Sequence, residues 1–314
     1  MSQEFSEFHD ELRSVAGDLL AKDRAVDWPV LVDAGWVGLE VPEQFGGAGA
    51  TFAETAVVCE EIGRAASANS YLGSAVLAVG ALNALQPSEI RDQLLTEVAS
   101  GAVRVAVALE EDYVPDADGA DKVLVIAADG LAVTAPIVTA QPVLDETRRL
   151  AQVGTVDAAD TLRFESATAT RGLRNRAAVA IACDSLGLSE AMLDATVGYA
   201  KVREQFGRPI GSFQAVKHAC ADMLVAVSVS RQLVGAAVQA IVDDQPDADV
   251  AASMAKSYVT ASAVDIAGKA MQLHGGIGYT WESGIHVYLK RAALNRSLFG
   301  SPAAHRKELA KRYI

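Results

Sequence analysis

Arg203-Glu-Gln-Phe206-Gly207-Arg-Pro-Ile-Gly-Ser-Phe-Gln214 separates two long runs of helical periodicity. Gly207 and Pro209 break the helix before them, and Gln214 opens the next one. Arg203 and Phe206 stand three apart near the helix end, a spacing that lets them share a face. Farther along, Gln272-Leu-His-Gly275-Gly276-Ile-Gly278-Tyr279 follows another amphipathic helix. Glycines without Cβ let a ligand approach the backbone and expose amide donors to it. Taken singly, each stretch also has an ordinary reading: a solvent-facing Arg beside a core Phe, and a glycine C-cap.

Around these stretches the texture of the chain divides into thirds. From Glu4 to about Val98, apolar residues recur at helical spacing, as in Phe8, Leu12, Val15 and Leu19, and predict amphipathic helices over 1–100. Short β-rich runs, Val103–Leu109, Val123–Ala127 and Leu131–Val133, are set among Asp, Gly and Pro clusters and predict a small β domain over 101–166. Helical periodicity then returns through Ala177–Arg203, Phe213–Ile241, Asp249–Leu273 and Ser283–Phe299, with Asp249 read as a cap. Long helices with short connections predict a bundle over 167–314. The expected fold is mostly α with a small central β domain.

Composition narrows the partners. With 314 residues, 51% hydrophobic and 21% charged, the chain can bury large cores. A net charge of −13 and no Lys/Arg cluster argue against nucleic acid. Met1 to Asp10 is polar and acidic, unlike a signal peptide, and no uninterrupted apolar run of membrane length occurs, so no membrane span is expected. Cys59, Cys183 and Cys220 lie far apart in apolar helical patterns and read as reduced, buried thiols of a cytoplasmic protein. His274, His286 and His305 lack ligand-type spacing, so no metal is expected.

The order of helical domain, β domain and helical bundle, together with both glycine-containing motifs, resembles the acyl-CoA dehydrogenase family. Near the front, Ala34-Gly35-Trp36-Val-Gly38-Leu-Glu-Val-Pro42-Glu43-Gln-Phe-Gly46-Gly47-Ala-Gly49 resembles the family's first-domain signature and is followed by Glu60-Glu61-Ile-Gly63-Arg64. That glycine loop is also what two helices need to enter a bundle. The resemblance implies that Arg203, Phe206 and Gln214 reach the pyrophosphate and adenosine of an FAD held mainly by a neighbouring subunit. It also implies that Gln272, Gly275 and Gly276 line the adenosine end of that FAD. An Arg fits the task because its fork of donors matches phosphate oxygens.

The parts that perform the family reaction are absent from their usual places. A flavin ring site is expected from a Thr-Glu-Pro-x-x-Gly-Ser-Asp-like stretch, where this chain reads Leu109-Glu110-Glu111-Asp112-Tyr113-Val114-Pro115-Asp116. A Trp-x-Thr strand is replaced by Val123-Leu-Val-Ile-Ala127-Ala128-Asp129-Gly130. Aligning on Lys290-Arg291-Ala292 puts Gly300 where the family's catalytic Glu stands, and the alternative base position falls on Ala177. Neither side chain can remove a proton. Asp184 and Glu282 are the remaining candidate bases, each weighed against a plain structural role; Glu110, Glu111 and Asp112 read as a solvated turn.

The resemblance therefore implies a subunit of a flavin-dependent acyl-CoA dehydrogenase that lacks the catalytic Glu and pairs with a catalytically complete homologue. The family includes actinobacterial steroid-degrading enzymes that are α2β2 heterotetramers with one FAD per heterodimer. On this expectation the complex introduces an α,β double bond into a CoA thioester, with an electron-transfer flavoprotein as acceptor. Two alternatives stand beside it: a self-sufficient homo-oligomeric dehydrogenase with an unrecognised base, and a flavin-free scaffold.

Overall fold

The computed structural model describes residues 3–110, 112–154 and 160–313; Glu111 of the expected solvated turn lies outside them. The chain begins with helices α1 (Gln3–Leu20), α2 (Trp28–Asp33), α3 (Phe52–Ala65), α4 (Ala78–Asn83) and α5 (Glu89–Ala99). A capping box starts α3: Thr51 Oγ1 accepts from Ala53 N at 3.2 Å, while Glu54 accepts from Thr51 N at 2.8 Å. Among the described residues of α1, Ala16 and Leu20 are buried and Leu12 and Leu19 pack partly buried against the core, whereas Phe8 and Val15 are half exposed, so only part of the predicted apolar face packs. Small Ala16 permits close approach where larger residues would hold the helix away.

In the front loop, Gly46 and Gly49 have φ of 86° and 60°, and a Cβ on Gly47 would run into Val41. The glycines thus serve packing, as the plain reading held.

Seven strands follow. β1 (Val105–Ala108), β2 (Val114–Pro115), β3 (Lys122–Ile126), β4 (Gly130–Thr134), β5 (Val138–Gln141), β6 (Leu150–Val153) and β7 (Asp160–Arg163) form two sheets, ordered β1-β3-β4-β7 and β2-β6-β5. β1 pairs β3 in parallel and every other pair of these sheets is antiparallel. The period of two along β1 sends Val105 and Val107 into the main core. Ala106 and Ala108 join a separate small core with Val114, Val123 and Ala151.

The last part consists of α6 (Ala169–Val202), a hairpin of β8 (Glu204–Gln205) with β9 (Arg208–Pro209), then α7 (Gln214–Val242), α8 (Ala248–His274), α9 (Ile285–Ser297) and α10 (Pro302–Ala310). α6 crosses α3 closely, for a Cβ on Gly187 would strike the Glu60 carbonyl and one on Gly63 the Asp184 carbonyl. Asp249 sits in the first turn of α8 rather than at its cap, which is Asp247. Cys59 and Cys183 are buried, and burial pushes the Cys59 thiol up to about 12; Cys220 is only partly covered.

α7 is long and apolar enough to cross a membrane by length and composition, a feature not expected from the sequence. It packs on α6 and α8 through Met223, Val227, Val234 and Ala237, while Leu224, Val225 and Val229 face outward.

Candidate functional site

Both glycine-containing motifs lie at the same end of the C-terminal bundle, one at the end of α6 and the other at the end of α8. Arg203 caps α6 with extended backbone (φ −73°, ψ 121°). Phe206 and Gly207 form the two-residue tip of the β8–β9 hairpin with φ of 54° and 76°, the pattern of a type I′ turn. Arg203 and Phe206 therefore do not share a helix face as expected; the same three-residue spacing has been taken up by a hairpin. A non-glycine residue at positive φ is strained. Phe206 bears that strain while 92% exposed, touching Phe213 edge-on at 6.1 Å between centroids. The guanidinium of Arg208 lies 4.2 Å over the other aromatic, Phe213. Gln214, first residue of α7, is exposed and its Nε2 lies 2.9 Å from His218 Nε2.

At the end of α8, Gln272 is exposed and Gly275 adopts φ 63°, ψ −142°, a region open in practice only to glycine. Gly278 is held by packing, since a Cβ there would lie 2.8 Å from Met271 O. Gly276 differs from both. Its φ is not positive and nothing lies within 4 Å of a built Cβ, so no contact within the chain demands a glycine there.

Of the two expected base positions, one is enclosed and the other borders a cavity. Ala177 is fully buried in α6, and its neighbour Arg176 reaches into the N-terminal helices. There Arg176 pairs with Glu40, donates from Nε to Val76 O at 2.7 Å and lies over Phe52. Val76 O belongs to the π-helical turn Leu72–Leu77, whose wider winding changes the carbonyl pairing and suits such an outside donor.

Gly300 has φ 96°, and a Cβ there would come 2.9 Å from His305 Nε2. Its carbonyl accepts from Lys256 Nζ at 2.7 Å. His305 in turn donates from Nε2 to Phe299 O at 3.0 Å. Lys256 is fully buried against carbonyl oxygens, and burial lowers its ammonium from 10.5 to about 7. Between those values the unfolded chain binds a proton that the folded chain does not, so stability rises with pH across that window. Lys256→Met is expected to remove a slope of about 1.4 kcal/mol per pH unit at most, checked by urea denaturation at pH 7, 8 and 9.

Gly300 borders a cavity of about 360 Å³ whose wall includes Arg171, Arg174, Asp249, His305 and Arg312. One carboxylate there, Asp249, has a buried Oδ1 with no hydrogen-bond partner among the described residues, and its place at a helix start gives no sign of this in the sequence. Beyond Phe299 a second cleft, about 330 Å³, is lined by Leu109, Tyr113 and Pro115 on one side and Leu294, Leu298 and Phe299 on the other. The candidate bases lie elsewhere. Asp184 is buried, and although burial raises its carboxyl, Arg291 and Arg148 outweigh that and hold it down to about 2. A carboxylate so paired is a poor proton acceptor. Glu282 is exposed.

Comparison with known proteins accords with this architecture. Residues 3–102 match the profile of the acyl-CoA dehydrogenase N-terminal domain and residues 167–314 that of the C-terminal domain. Acyl-CoA dehydrogenase IpdE2 of Mycobacterium tuberculosis is 38% identical over 289 residues, covering 90% of this chain and 86% of that protein. IpdE2 of Mycolicibacterium smegmatis is 37% identical over 286 residues, with the same coverage of 90% and 86%. Among solved structures, the steroid ACAD Tcur3481-Tcur3483 has a TM-score of 0.87 at 26% identity, covering 98% of this chain and 97% of that one. The ChsE4-ChsE5 complex of Mycobacterium tuberculosis shares the fold, with a TM-score of 0.87 at 23% identity and coverage of 100% and 98%. The chain belongs to the acyl-CoA dehydrogenase family.

Proposed function

We propose that this chain is the non-catalytic subunit of a heteromeric, flavin-dependent acyl-CoA dehydrogenase, acting on a CoA thioester of the steroid-derived class. Its contribution is one edge of an FAD site whose remainder, with the catalytic base, belongs to a second acyl-CoA dehydrogenase-like subunit. The observation that carries the reading is the glycine at position 300, which borders the cavity without a group that can take a proton. Its positive φ would strain any other residue, and a side chain there would have to displace the His305 ring, 2.9 Å from a built Cβ. Tcur3481-Tcur3483, named for two components and for steroids, supports the heteromeric form and the substrate class. An α2β2 assembly, a cytoplasmic setting and an electron-transfer flavoprotein as acceptor complete the proposal.

The residues present fit an FAD edge. Gly276 offers open backbone that a Cβ would partly fill, and Arg203, Phe206 and Gln272 project from the same end of the bundle into solvent. Bound FAD supplies the acceptor for the β-hydride of the thioester. This chain's Arg203 would pair with the pyrophosphate, Phe206 and Gln214 would contact the adenosine side, and Gln272, Gly275 and Gly276 would line the adenosine end. The outward apolar side chains Leu224, Val225 and Val229 of α7 suit coverage by a subunit.

Gly276→Ala tests the edge. In the co-expressed complex it is expected to weaken FAD about tenfold while leaving the thermal midpoint of the isolated chain unchanged, because the methyl meets nothing within the chain. Unchanged FAD affinity would remove Gly276 from the site. Asp249→Asn tests the missing base: the complex should keep its turnover, whereas a loss of about a hundredfold or more would make Asp249 a base and the chain catalytic.

A further inference from the structure

Resting on that reading, we propose that Tyr199 and His274 are positioning residues, a stacked pair that sets the spacing between the two halves of the cofactor edge. The Arg203 hairpin and the Gly275 loop are built independently. The first is held by its own strand pair and by Ile210 N donating to Arg203 O at 2.8 Å; the second is a short 3-10 turn closed by Thr280 N on Ile277 O at 3.0 Å. Their rings meet one step inside each loop. Tyr199 stacks on His274 with centroids 4.5 Å apart and planes 20° from parallel.

Each ring is tied to its own loop. The Tyr199 carbonyl accepts from Arg203 N at 2.9 Å, so the residue that presents its ring to His274 also fixes where Arg203 leaves the helix. His274 directly precedes Gly275, is 8% exposed, and donates from Nδ1 to Ala270 O at 2.8 Å, which fixes the ring plane. Gly278 closes back onto it, for a Cβ there would lie 3.2 Å from His274 Cβ. A continuous line thus runs from Gly278 through His274 and Tyr199 to Arg203. Neither ring needs to touch the cofactor; each acts by holding the backbone that does. An edge split between two helix ends binds a rigid ligand well only if the ends are held in register beforehand.

The test uses the co-expressed heteromeric complex, freed of flavin and titrated with FAD by fluorescence quenching, with thermal melting of the apo complex alongside. Tyr199→Leu removes the stacking partner, and His274→Asn removes the ring while keeping a donor near Ala270 O. Each is expected to raise the FAD dissociation constant about tenfold, and Tyr199→Phe to restore the native value. Because both act through one contact, the double variant should cost no more than either single one. A double variant that multiplies the two losses overturns the proposal, as does affinity loss that simply follows a lower melting temperature with no rescue by Tyr199→Phe. Arg203→Ala separates this from the underlying reading. If it weakens FAD and Tyr199→Leu does not, the clamp is wrong and the shared edge stands; if neither weakens FAD, the shared edge itself is wrong.

Discussion

Arg291→Ala should cost the fold about 3–5 kcal/mol, the usual consequence of stripping one partner from a buried ion pair. Arg291 is 1% exposed and donates from Nε to Asp184 Oδ1 at 3.0 Å. Its Nη1 donates to Ser67 O at 2.8 Å and to Thr147 Oγ1 at 2.7 Å. Asn295 Nδ2 and Arg148 Nη2 hold the same carboxylate at 2.6 Å and 2.9 Å. One guanidinium therefore joins α9 to α6, to the loop after α3 and to the segment before β6. Truncation leaves Asp184 with only Arg148 and Asn295 against its desolvation and leaves Ser67 O without this donor. Urea denaturation at pH 7 reads the loss. The native chain should also lose stability as pH falls from the ordinary aspartate value of 3.8 through about 2, because Asp184 is lowered on folding and its contribution is present only while it stays ionised.

Arg203→Ala makes the opposite pattern. The side chain is exposed and forms no ion pair among the described residues, so folding stability should move by less than about 0.5 kcal/mol. On the proposed shared edge, the same change would remove a charge-assisted contact to phosphate, worth about 1.5–3 kcal/mol, and FAD should bind the complex roughly ten- to a hundredfold more weakly. Arg203→Lys should recover only part, since an ammonium lacks the planar fork that matches phosphate oxygens. Equilibrium FAD titration of the deflavinated complex measures both. A flavin-free scaffold would show no change in either variant.

Much of this architecture was legible before any coordinates. The long C-terminal helices and the strands at Val105–Ala108, Lys122–Ile126 and Gly130–Thr134 carry strong periodicity and match the expected spans within a few residues, except that α6 starts at Ala169 rather than at Ala177. What escaped was tertiary. Phe8 and Val15 have the right spacing for a buried face, yet both are half exposed, and Ala16 and Leu20 pack beside Leu12 and Leu19. Spacing names a stripe; the neighbouring helix decides which stripe it can approach. The hairpin at Phe206-Gly207 reads as a helix end because a three-residue interval fits both and Phe-Gly lacks the Asn-Gly or Asp-Gly signal of a type I′ tip.

The candidate site was legible in its parts and not in its assembly. Arg203 and Gly275 stood out as motifs, but nothing in the spacing of Tyr199 and His274 announced a stack. The Lys256 hydrogen bond to Gly300 is equally silent. Lys256 is a single charge in an apolar helix, a pattern that ordinarily marks a solvent-facing side chain; here its ammonium is drawn inward by the carbonyls of Gly300 and Arg296. Asp184 was weighed as a possible base. Two arginines from distant segments, invisible to a local reading, turn it into a structural counter-ion.

The most direct test of the half-site account is flavin content, measured by visible absorbance on this chain purified alone and on the chain co-purified with a catalytically complete acyl-CoA dehydrogenase-like subunit. The account predicts a colourless chain alone and about one FAD per two chains in the complex, the stoichiometry of one cofactor shared across each pair. A yellow chain that dehydrogenates an acyl-CoA by itself would contradict it.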